Sequence, residues 1–377
     1  MSEFFSVVRS RLATSVSVVV GALVLLATGH TSAQPVPANV AVPFYTPPAF
    51  MQGVHRHWYA PRSAEFAAQA GALAPAMAQL CSANAATAAD ALQRTRAQWQ
   101  ASVTAWDRLA AVAIGPLLQR RSQRQIDFAP TRPELIERAI RSAPADALAM
   151  EHIGTPAKGF PGLEWLLWTR PLALDLPHSP ACRYAQQLAL EISEEAKALA
   201  QAFGELAARD WQADEEAATP VMGEMVNQWV GGLERLRWAQ MEKPLHSARQ
   251  AGQGGHNAPV FPRSASGSTA QSWAAHWEGL RSLAVALTQQ APEPGKGLVA
   301  LETYLRGRGL NPLAGRLAAT VQQVQQALPA ATPPATPAGS AGLLTATKSL
   351  GKLKRLAGAE VAPALEVNIG FSDADGD

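Results

Sequence analysis

The sequence predicts an all-α protein built as a helical bundle. Apolar residues recur every three or four positions through most of the 377 residues, and almost no segment alternates as a strand does. Hydrophobic residues make up 47% of the chain and charged residues 16%, so a sizeable core is available. Alanine is abundant, which favours helices that pack closely through small side chains.

Residues 1–33 are typical of a secretory signal peptide. Arg9 and Arg11 precede an apolar run, and small residues then lead to a cleavage site near Ala33. Cleavage there would release the remaining chain into the periplasm. An uncleaved membrane anchor is the alternative, although the apolar run is short for a transmembrane helix. We expect no membrane span in the rest of the chain, since no later segment is comparably long and apolar.

Shifts in composition divide the remainder of the chain into predicted parts. A proline-rich lead-in is expected to run extended over the surface, and a loop rich in glycine, glutamine and serine is expected to separate two helical parts. In order, the parts are the lead-in 34–61, a first helical bundle 62–246, the flexible loop 247–262, and a second helical part 263–377 with an acidic tail.

The predicted helices are marked by apolar residues at helical spacing and, in several cases, by a proline in the first turn. Their tryptophans are expected in the core, and the charges of the last helix are expected to face solvent. In chain order the helices cover 63–81, 92–113, 131–141, 161–168, 179–211, 219–236, 273–287, 298–305, 313–328 and a basic segment with Lys348, Lys352, Lys354 and Arg355.

The stretch 158–168 carries the sharpest chemical signal. Pro161 favours a helix start, and Glu164 follows within the first turn, directly before a run of large apolar residues. A carboxylate in such surroundings is either buried and paired or set in a cleft. Glu151 and His152 lie shortly before this stretch and could supply a second carboxylate and an imidazole, with a local capping role as the alternative.

The two cysteines, Cys81 and Cys182, both lie in the part expected to be exported. In an oxidising compartment they are expected to form a disulfide, with two buried free thiols as the alternative. Two cysteines without further ligands predict neither a zinc site nor thiol catalysis.

Other site classes receive little support. The formal charge of +2, without a dense basic stripe, argues against a nucleic-acid partner. His55 and His57 could ligate a metal but are expected to be solvated. Asp373 and Asp375 resemble the start of a calcium loop, but the glycine comes too early and no residue remains for the bidentate glutamate. Phosphate-binding loops, nucleophile elbows and H-E-x-x-H motifs are absent from the sequence.

Several motifs together resemble imelysin-like periplasmic proteins, over nearly the whole chain after the signal peptide. The resemblance implies two facing halves, each like a four-helix bundle, in an exported protein of bacterial iron physiology. The matching pieces are Trp58-Tyr59-Ala60-Pro61, Phe66, Cys81, Trp106, Gly115-Pro116, Pro180-Ala181-Cys182, Arg263-Ser264 and the terminal residues 370–377.

The signature of that family is G-x-H-x-x-E, interpreted first as a metallopeptidase site and later as a metal-binding site. Gly159 and Glu164 match its glycine and glutamate, but Pro161 stands where the histidine should be. This removes the imidazole ligand and the obvious general base together. We therefore predict no catalytic residue. Glu164 and Gly159 are carried over as binding residues, and the further candidates for the cleft are Glu151, His152, Arg263, Ser264, Asp373 and Asp375.

Three functions are compatible with these observations. The first is a non-catalytic binding or accessory protein that works with iron-uptake components of the cell envelope. Its ligand is unidentified, with iron or another divalent metal as candidates. The second is a structural or interaction protein with a degenerate site. The third is a metal-dependent peptidase-like hydrolase, which would need a nucleophilic water held by at least three ligands. The sequence offers no such cluster.

Overall fold

The computed structural model describes residues 41–170, 179–251, 258–286 and 290–370. Within these ranges all regular structure is helical and no β-strand occurs, which confirms the predicted all-α class. None of the helices in the same ranges is long and apolar enough to cross a membrane. The predicted signal peptide and the candidate residues Asp373 and Asp375 lie outside the described residues.

The α-helices are numbered in chain order. They are α1 Pro47–Val54, α2 Ala60–Ser82, α3 Ala88–Ala110, α4 Pro116–Gln119, α5 Ser122–Ile126, α6 Pro133–Ser142, α7 Ala147–Glu151, α8 Gly159–Glu164, α9 Pro180–Ala208, α10 Glu215–Glu234, α11 Lys243–Ala251, α12 Thr269–Ala284, α13 Leu301–Gly307, α14 Asn311–Ala327, α15 Ala341–Leu356 and α16 Ala362–Ala364. Short 3₁₀ turns occur at Thr155–Ala157, Trp211–Ala213, Leu328–Ala330 and Pro337–Gly339.

Among the described residues, four π-helical segments continue these helices. His55–Tyr59 joins α1 to α2, Arg235–Glu242 joins α10 to α11, and Ala357–Val361 joins α15 to α16. The fourth, Trp165–Thr169, extends α8. A π turn widens the helix locally and changes the direction in which the following side chains point. Residues 47–82 therefore form one long helix whose buried face shifts part-way along.

The expectation of an extended lead-in up to residue 61 is wrong from Pro47 onward. Thr46 caps α1 by accepting a 3.3 Å hydrogen bond from the N–H of Ala49, and Pro47 occupies the first turn. Proline is favoured at this position because its missing N–H would be unpaired there in any case. Phe50 and Trp58 are fully buried, since α1 packs against α10 and the π segment packs against α9. The prolines begin a helix here and do not prevent one.

Helices from distant parts of the sequence form the core together. The long helix α2 packs along α3 and α9, and α3 also contacts α12. In a second group of contacts, α15 packs against α10 and α14. Contacts thus connect the segments 62–246 and 263–377, while the predicted domain boundaries themselves stay a prediction.

Two glycines allow α10 and α12 to contact the C-terminal end of α3. A Cβ atom at Gly232 would lie 2.2 Å from the carbonyl oxygen of Ala111, and one at Gly279 would lie 2.5 Å from that of Arg108. Both distances are far below van der Waals contact, so only glycine permits this packing. Any larger residue would push these helices apart.

The disulfide between Cys81 and Cys182 is confirmed, and it joins the end of α2 to the first turn of α9. The predicted start of α9 is also confirmed. Ser179 caps the helix by accepting a hydrogen bond from the N–H of Cys182 at 3.1 Å, and Pro180 follows in the first helical position. The helix predicted from residue 131 begins at Pro133, after Arg132, and it has no side-chain cap.

The double variant Cys81→Ser/Cys182→Ser should be less stable than the oxidised protein by about 2–5 kcal/mol, because the disulfide closes a long loop and restricts the unfolded chain. The free energy of unfolding from urea titrations measures this loss. Reduced wild-type protein is the matched control and should show the same stability as the double variant. A difference below about 0.5 kcal/mol between the oxidised protein and the variant would contradict this role.

His55 differs from the solvated residue that the sequence suggested. It is 1% exposed, and its ring stacks on Trp211 with a centroid distance of 4.7 Å. Burial lowers the pKa of His55 from 6.5 to about 4, and the charge of Arg209 adds to the shift. His55 is therefore neutral in the folded protein at neutral pH.

Acid should destabilise the protein through His55. Because the folded-state pKa is depressed, the contribution of neutral His55 is complete above pH 6.5 and is lost as the pH falls toward 4. The expected loss is up to about 3 kcal/mol. Urea titrations between pH 7.5 and 4 should show a smaller decrease for His55→Phe than for wild type. The variant His57→Gln, at an exposed neighbouring position, should behave like wild type. Buried His276, whose pKa is also lowered, accounts for part of the remaining decrease.

Candidate functional site

Helix α8 is held in place by the glycine with which it begins. Gly159 has a φ of +66°, and a Cβ atom there would lie 2.2 Å from the carbonyl oxygen of Ile126 in α5. Both the dihedral and the contact require glycine. Pro161 is the third residue of α8 and is buried, so the helix starts two residues earlier than its sequence suggests.

Glu164 ends α8 as a buried carboxylate, with 7% of its surface exposed. Its Oε1 accepts a 2.9 Å hydrogen bond from the backbone N–H of Ser266. Ser266 belongs to the turns 262–267 that precede α12. Glu164 thus connects α8 to a segment far along the chain. Ser264, the serine predicted for this site, is exposed, and its neighbour two positions on makes the contact.

Arg263 lies in the same turns and is the most buried cation of the site, with 5% exposed. Its Nη2 is 2.7 Å from Oδ1 of Asp127 and 3.5 Å from Oδ1 of Asp107. Burial opposes the guanidinium charge, but Asp127, Asp107 and Glu164 outweigh burial and raise the pKa of Arg263. The group is permanently charged at this position.

The backbone of Arg263 is unusual as well. Its φ of +64° lies in the left-handed region, which non-glycine residues adopt rarely and at a cost of about 1–3 kcal/mol. The carbonyl oxygen of Arg263 accepts hydrogen bonds from the N–H of Ser268 and the hydroxyl of Ser266, both at 3.1 Å. These bonds hold the turn in the conformation that directs the guanidinium inward.

The two aspartates are held by donors of their own. Asp107 in α3 is 3% exposed and accepts a 2.6 Å hydrogen bond from the hydroxyl of Ser272. Asp127 accepts one from the indole N–H of Trp106 at 2.9 Å. Burial raises the pKa of Asp107 to about 7, with Asp127 adding to the shift and Arg263 opposing it.

Two aromatic rings shield the guanidinium from solvent. Its Cζ lies 5.8 Å from the ring centroid of Trp99 and 5.9 Å from that of Phe160. Trp99 is fixed in turn, since its indole N–H donates to the carbonyl oxygen of Phe160 at 3.2 Å. Contacts of a cation with ring faces are favourable and become stronger when water is excluded. Phe160, which directly follows the glycine of α8, and Trp99 of α3 thus form part of the site.

We call this group the Arg263 centre and define it as Asp107, Asp127, Glu164, Arg263, Ser266 and Ser272. One permanent cation lies among three carboxylates, and the second oxygens of Asp107 and Asp127 accept hydrogen bonds from Ser272 and Trp106. The Nε atom of Arg263 has no hydrogen-bond partner among the described residues. In the described ranges, no group of three or more His, Cys, Asp or Glu side chains is arranged to hold a metal ion. The centre offsets part of the buried negative charge and joins α3, α8, α12 and the turns 262–267.

The centre includes some of the predicted site residues and excludes others. It brings together Glu164 and Arg263, with Gly159 as their structural support. Glu151 and His152 lie exposed at the end of α7, outside the buried contacts. Whether any of these residues binds a ligand stays a prediction.

Sequence reasoning missed both aspartates of the centre. For Asp107 a signal existed, because it lies four residues after Val103 on the buried stripe of α3, where a carboxylate needs a partner. Asp127 lies directly after α5 and has no comparable signal. Ser266 contributes its backbone N–H, which no sequence pattern marks.

Residues 59–356 match the family model described as Imelysin. The chain belongs to the imelysin family. This confirms the resemblance to imelysin-like proteins found in the sequence. This imelysin departs from the family signature at Pro161, which is packed inside α8. No curated protein matches the chain.

Two crystal structures share the fold. An imelysin-like protein from Psychrobacter arcticum has a TM-score of 0.64 at 20% sequence identity, and the similarity covers 88% of this chain and 100% of that one. A candidate iron-regulated protein A precursor from Parabacteroides distasonis has a TM-score of 0.67 at 13% identity, covering 85% of this chain and 95% of that one. At these identities the likeness establishes the fold.

Arg263→Met should destabilise the protein by about 3–5 kcal/mol, because it leaves buried carboxylates without their cation. Adding Asp127→Asn to this variant should recover part of the loss, since one of the uncompensated charges is removed. The free energy of unfolding at pH 7.5 measures both effects. Lys197→Met, which breaks the exposed pair with Glu194, is the control and should change stability by less than about 1 kcal/mol. Equal losses in the buried and exposed variants would contradict the charge balance described for the centre.

Proposed function

We propose that this imelysin is a non-catalytic accessory protein of bacterial iron uptake, exported to the periplasm by residues 1–33. The observation that carries the proposal is the Arg263 guanidinium among the carboxylates of the centre, together with Pro161 in place of the motif histidine. The link to iron rests on family membership and on the structural neighbour that is named as iron-regulated.

The chemistry of the centre argues against a peptidase. Metal-assisted hydrolysis needs a metal with an open coordination position and a water of lowered pKa. Here Asp127 and Asp107 accept from Arg263, and Glu164 accepts from the backbone of Ser266. A guanidinium offers no coordination position and does not lose its proton at physiological pH. The residues present therefore do not fit a resident divalent metal.

The same contacts favour a positioning role for the centre. They hold α3, α8 and α12 in one arrangement, so the surface above them is presented in a fixed form. An accessory protein needs such a surface to meet iron-uptake components of the cell envelope. A purely structural or interaction protein with a degenerate site is the second candidate, and it is favoured by the low exposure of Glu164.

Deletion of the gene from its source bacterium should lower ⁵⁵Fe accumulation under iron limitation. Complementation with the full chain should restore it, and complementation with a chain that starts at Gln34 should not, because export is lost. Unchanged iron accumulation in the deletion strain would refute the link to iron uptake and leave the purely structural candidate.

The purified protein should neither hydrolyse peptides nor bind Fe²⁺ or Zn²⁺ stoichiometrically in calorimetric titrations. Glu164→Gln is the matched control because it keeps an acceptor for the N–H of Ser266. Stoichiometric metal binding that this variant abolishes would establish a metal carrier instead. Peptide hydrolysis abolished by a chelator would overturn the non-catalytic assignment.

A further inference from the structure

A polar cavity lies away from the Arg263 centre and shares no residue with it. Its volume is about 590 Å³, within the range of about 300–1,000 Å³ that is usual for small-molecule sites. Its walls come from α10, from α13 and from the residues that follow α16. The residues used below are Gly223, Glu224, Asn227, Tyr304, Arg308 and Glu366.

Arg308 provides the positive charge of this cavity. Its Cζ lies 5.6 Å from the ring centroid of Phe44 and 5.1 Å from that of Tyr304, and its Nη2 donates to the Tyr304 hydroxyl at 3.0 Å. These contacts position the guanidinium without neutralising it. No ion pair joins Arg308 to a carboxylate of the described residues. A planar guanidinium of this kind is suited to a bidentate carboxylate.

Glu224 and Glu366 provide negative charge on the other two walls. Burial raises the pKa of Glu224, while a hydrogen bond from the N–H of Gly115 opposes the shift. Glu366 is exposed at the rim, and its φ of +58° is a left-handed conformation that is rare for glutamate. Neither residue forms an ion pair with a side chain of the described ranges. Both carboxylates therefore lack a cationic partner among these residues.

The hydrogen bonding of the cavity wall is also incomplete. Asn227 Oδ1 and Arg308 Nε have no partner among the described residues and do not contact solvent. Native structures rarely leave such atoms unpaired, because each one costs free energy. Both residues line the cavity, so a side chain that turns toward it would reach a partner on a bound molecule. Asn227 would accept a hydrogen bond, and Arg308 would donate one.

We propose that this cavity binds a free α-amino acid or a short peptide. The ligand carboxylate pairs with Arg308, and its ammonium group pairs with Glu224, with Glu366 at the rim. The three charged side chains sum to one negative charge, which disfavours a bare anion. A bare cation would leave Arg308 without a partner. A zwitterion satisfies both signs at once.

Gly223 offers a way to block the cavity without disturbing the fold. It lines the cavity within α10, and a Cβ atom built on it meets no other atom within 4 Å. Gly223→Ala is thus expected to fold and to leave the cavity open. Gly223→Leu places a larger side chain in the same free space and should occupy the ligand volume.

Calorimetric titration of the purified chain with the proteinogenic amino acids and with Ala-X-Ala tripeptides should identify saturable binding at one site per chain. For the best ligand, Arg308→Gln should weaken binding by at least about tenfold, since a charge-assisted hydrogen bond is lost. Amidation of the ligand carboxylate should weaken binding to the wild-type protein by a similar factor, and it should hardly change binding to Arg308→Gln. Gly223→Leu should abolish binding, and Gly223→Ala should retain it.

Each control has an outcome that overturns the proposal. Absence of saturable binding for every amino acid and tripeptide would do so, as would binding that Gly223→Leu leaves intact. Equal affinity for the free and amidated ligand in wild type would exclude the pairing with Arg308. N-acetylation of the ligand should weaken its binding to the wild-type protein by at least about tenfold, and its binding to Glu224→Gln much less. Equal weakening of binding in both proteins would exclude the pairing with Glu224. The outcome does not depend on the Arg263 centre, so failure here and failure of the iron-uptake assignment are separable.

Discussion

A single buried guanidinium is the constraint on which the arrangement of the helices depends. Taking Arg263 and its carboxylates out of water costs several kcal/mol per ion, and the attraction within the pair offsets this only when the geometry is good and the other polar atoms are satisfied. The geometry is close and the aspartates are satisfied, since Asp127 lies 2.7 Å from Arg263 and Trp106 and Ser272 donate to the aspartates. The Nε atom of Arg263 has no hydrogen-bond partner among the described residues. The positions of α3, α8 and α12 are consequently coupled.

The signature positions of this member of the imelysin family have structural contacts in and around α8. The motif glycine retains its structural role, because the close contact of Gly159 with Ile126 admits no side chain. The motif glutamate retains its place but accepts a backbone N–H from Ser266. Pro161 packs into α8, where a histidine would have supplied a ligand and a base.

The two polar regions of the molecule differ in how they balance charge. In the Arg263 centre the carboxylates have a protein cation and protein donors, so the centre stabilises the fold without a ligand. In the cavity around Arg308, charges of both signs lie on separate walls without pairing, and the wall retains unpartnered polar atoms. Buried groups that are paired internally contribute to stability, whereas unpaired groups along a cavity are available for recognition.

The sequence by itself determined the helical class, the start of α9 at Ser179 and the pairing of Cys81 with Cys182. Helical periodicity and capping are local properties, and two cysteines allow one intramolecular pair. Only the tertiary structure decided that Asp107, Asp127 and Glu164 share Arg263, because their encounter depends on helices far apart in the chain. It also decided that residues 47–59 are helical, because these residues are buried against α9 and α10. Local sequence patterns thus determine where the helices form. The Arg263 centre is determined by the packing of α3, α8 and α12, which brings the buried charges together.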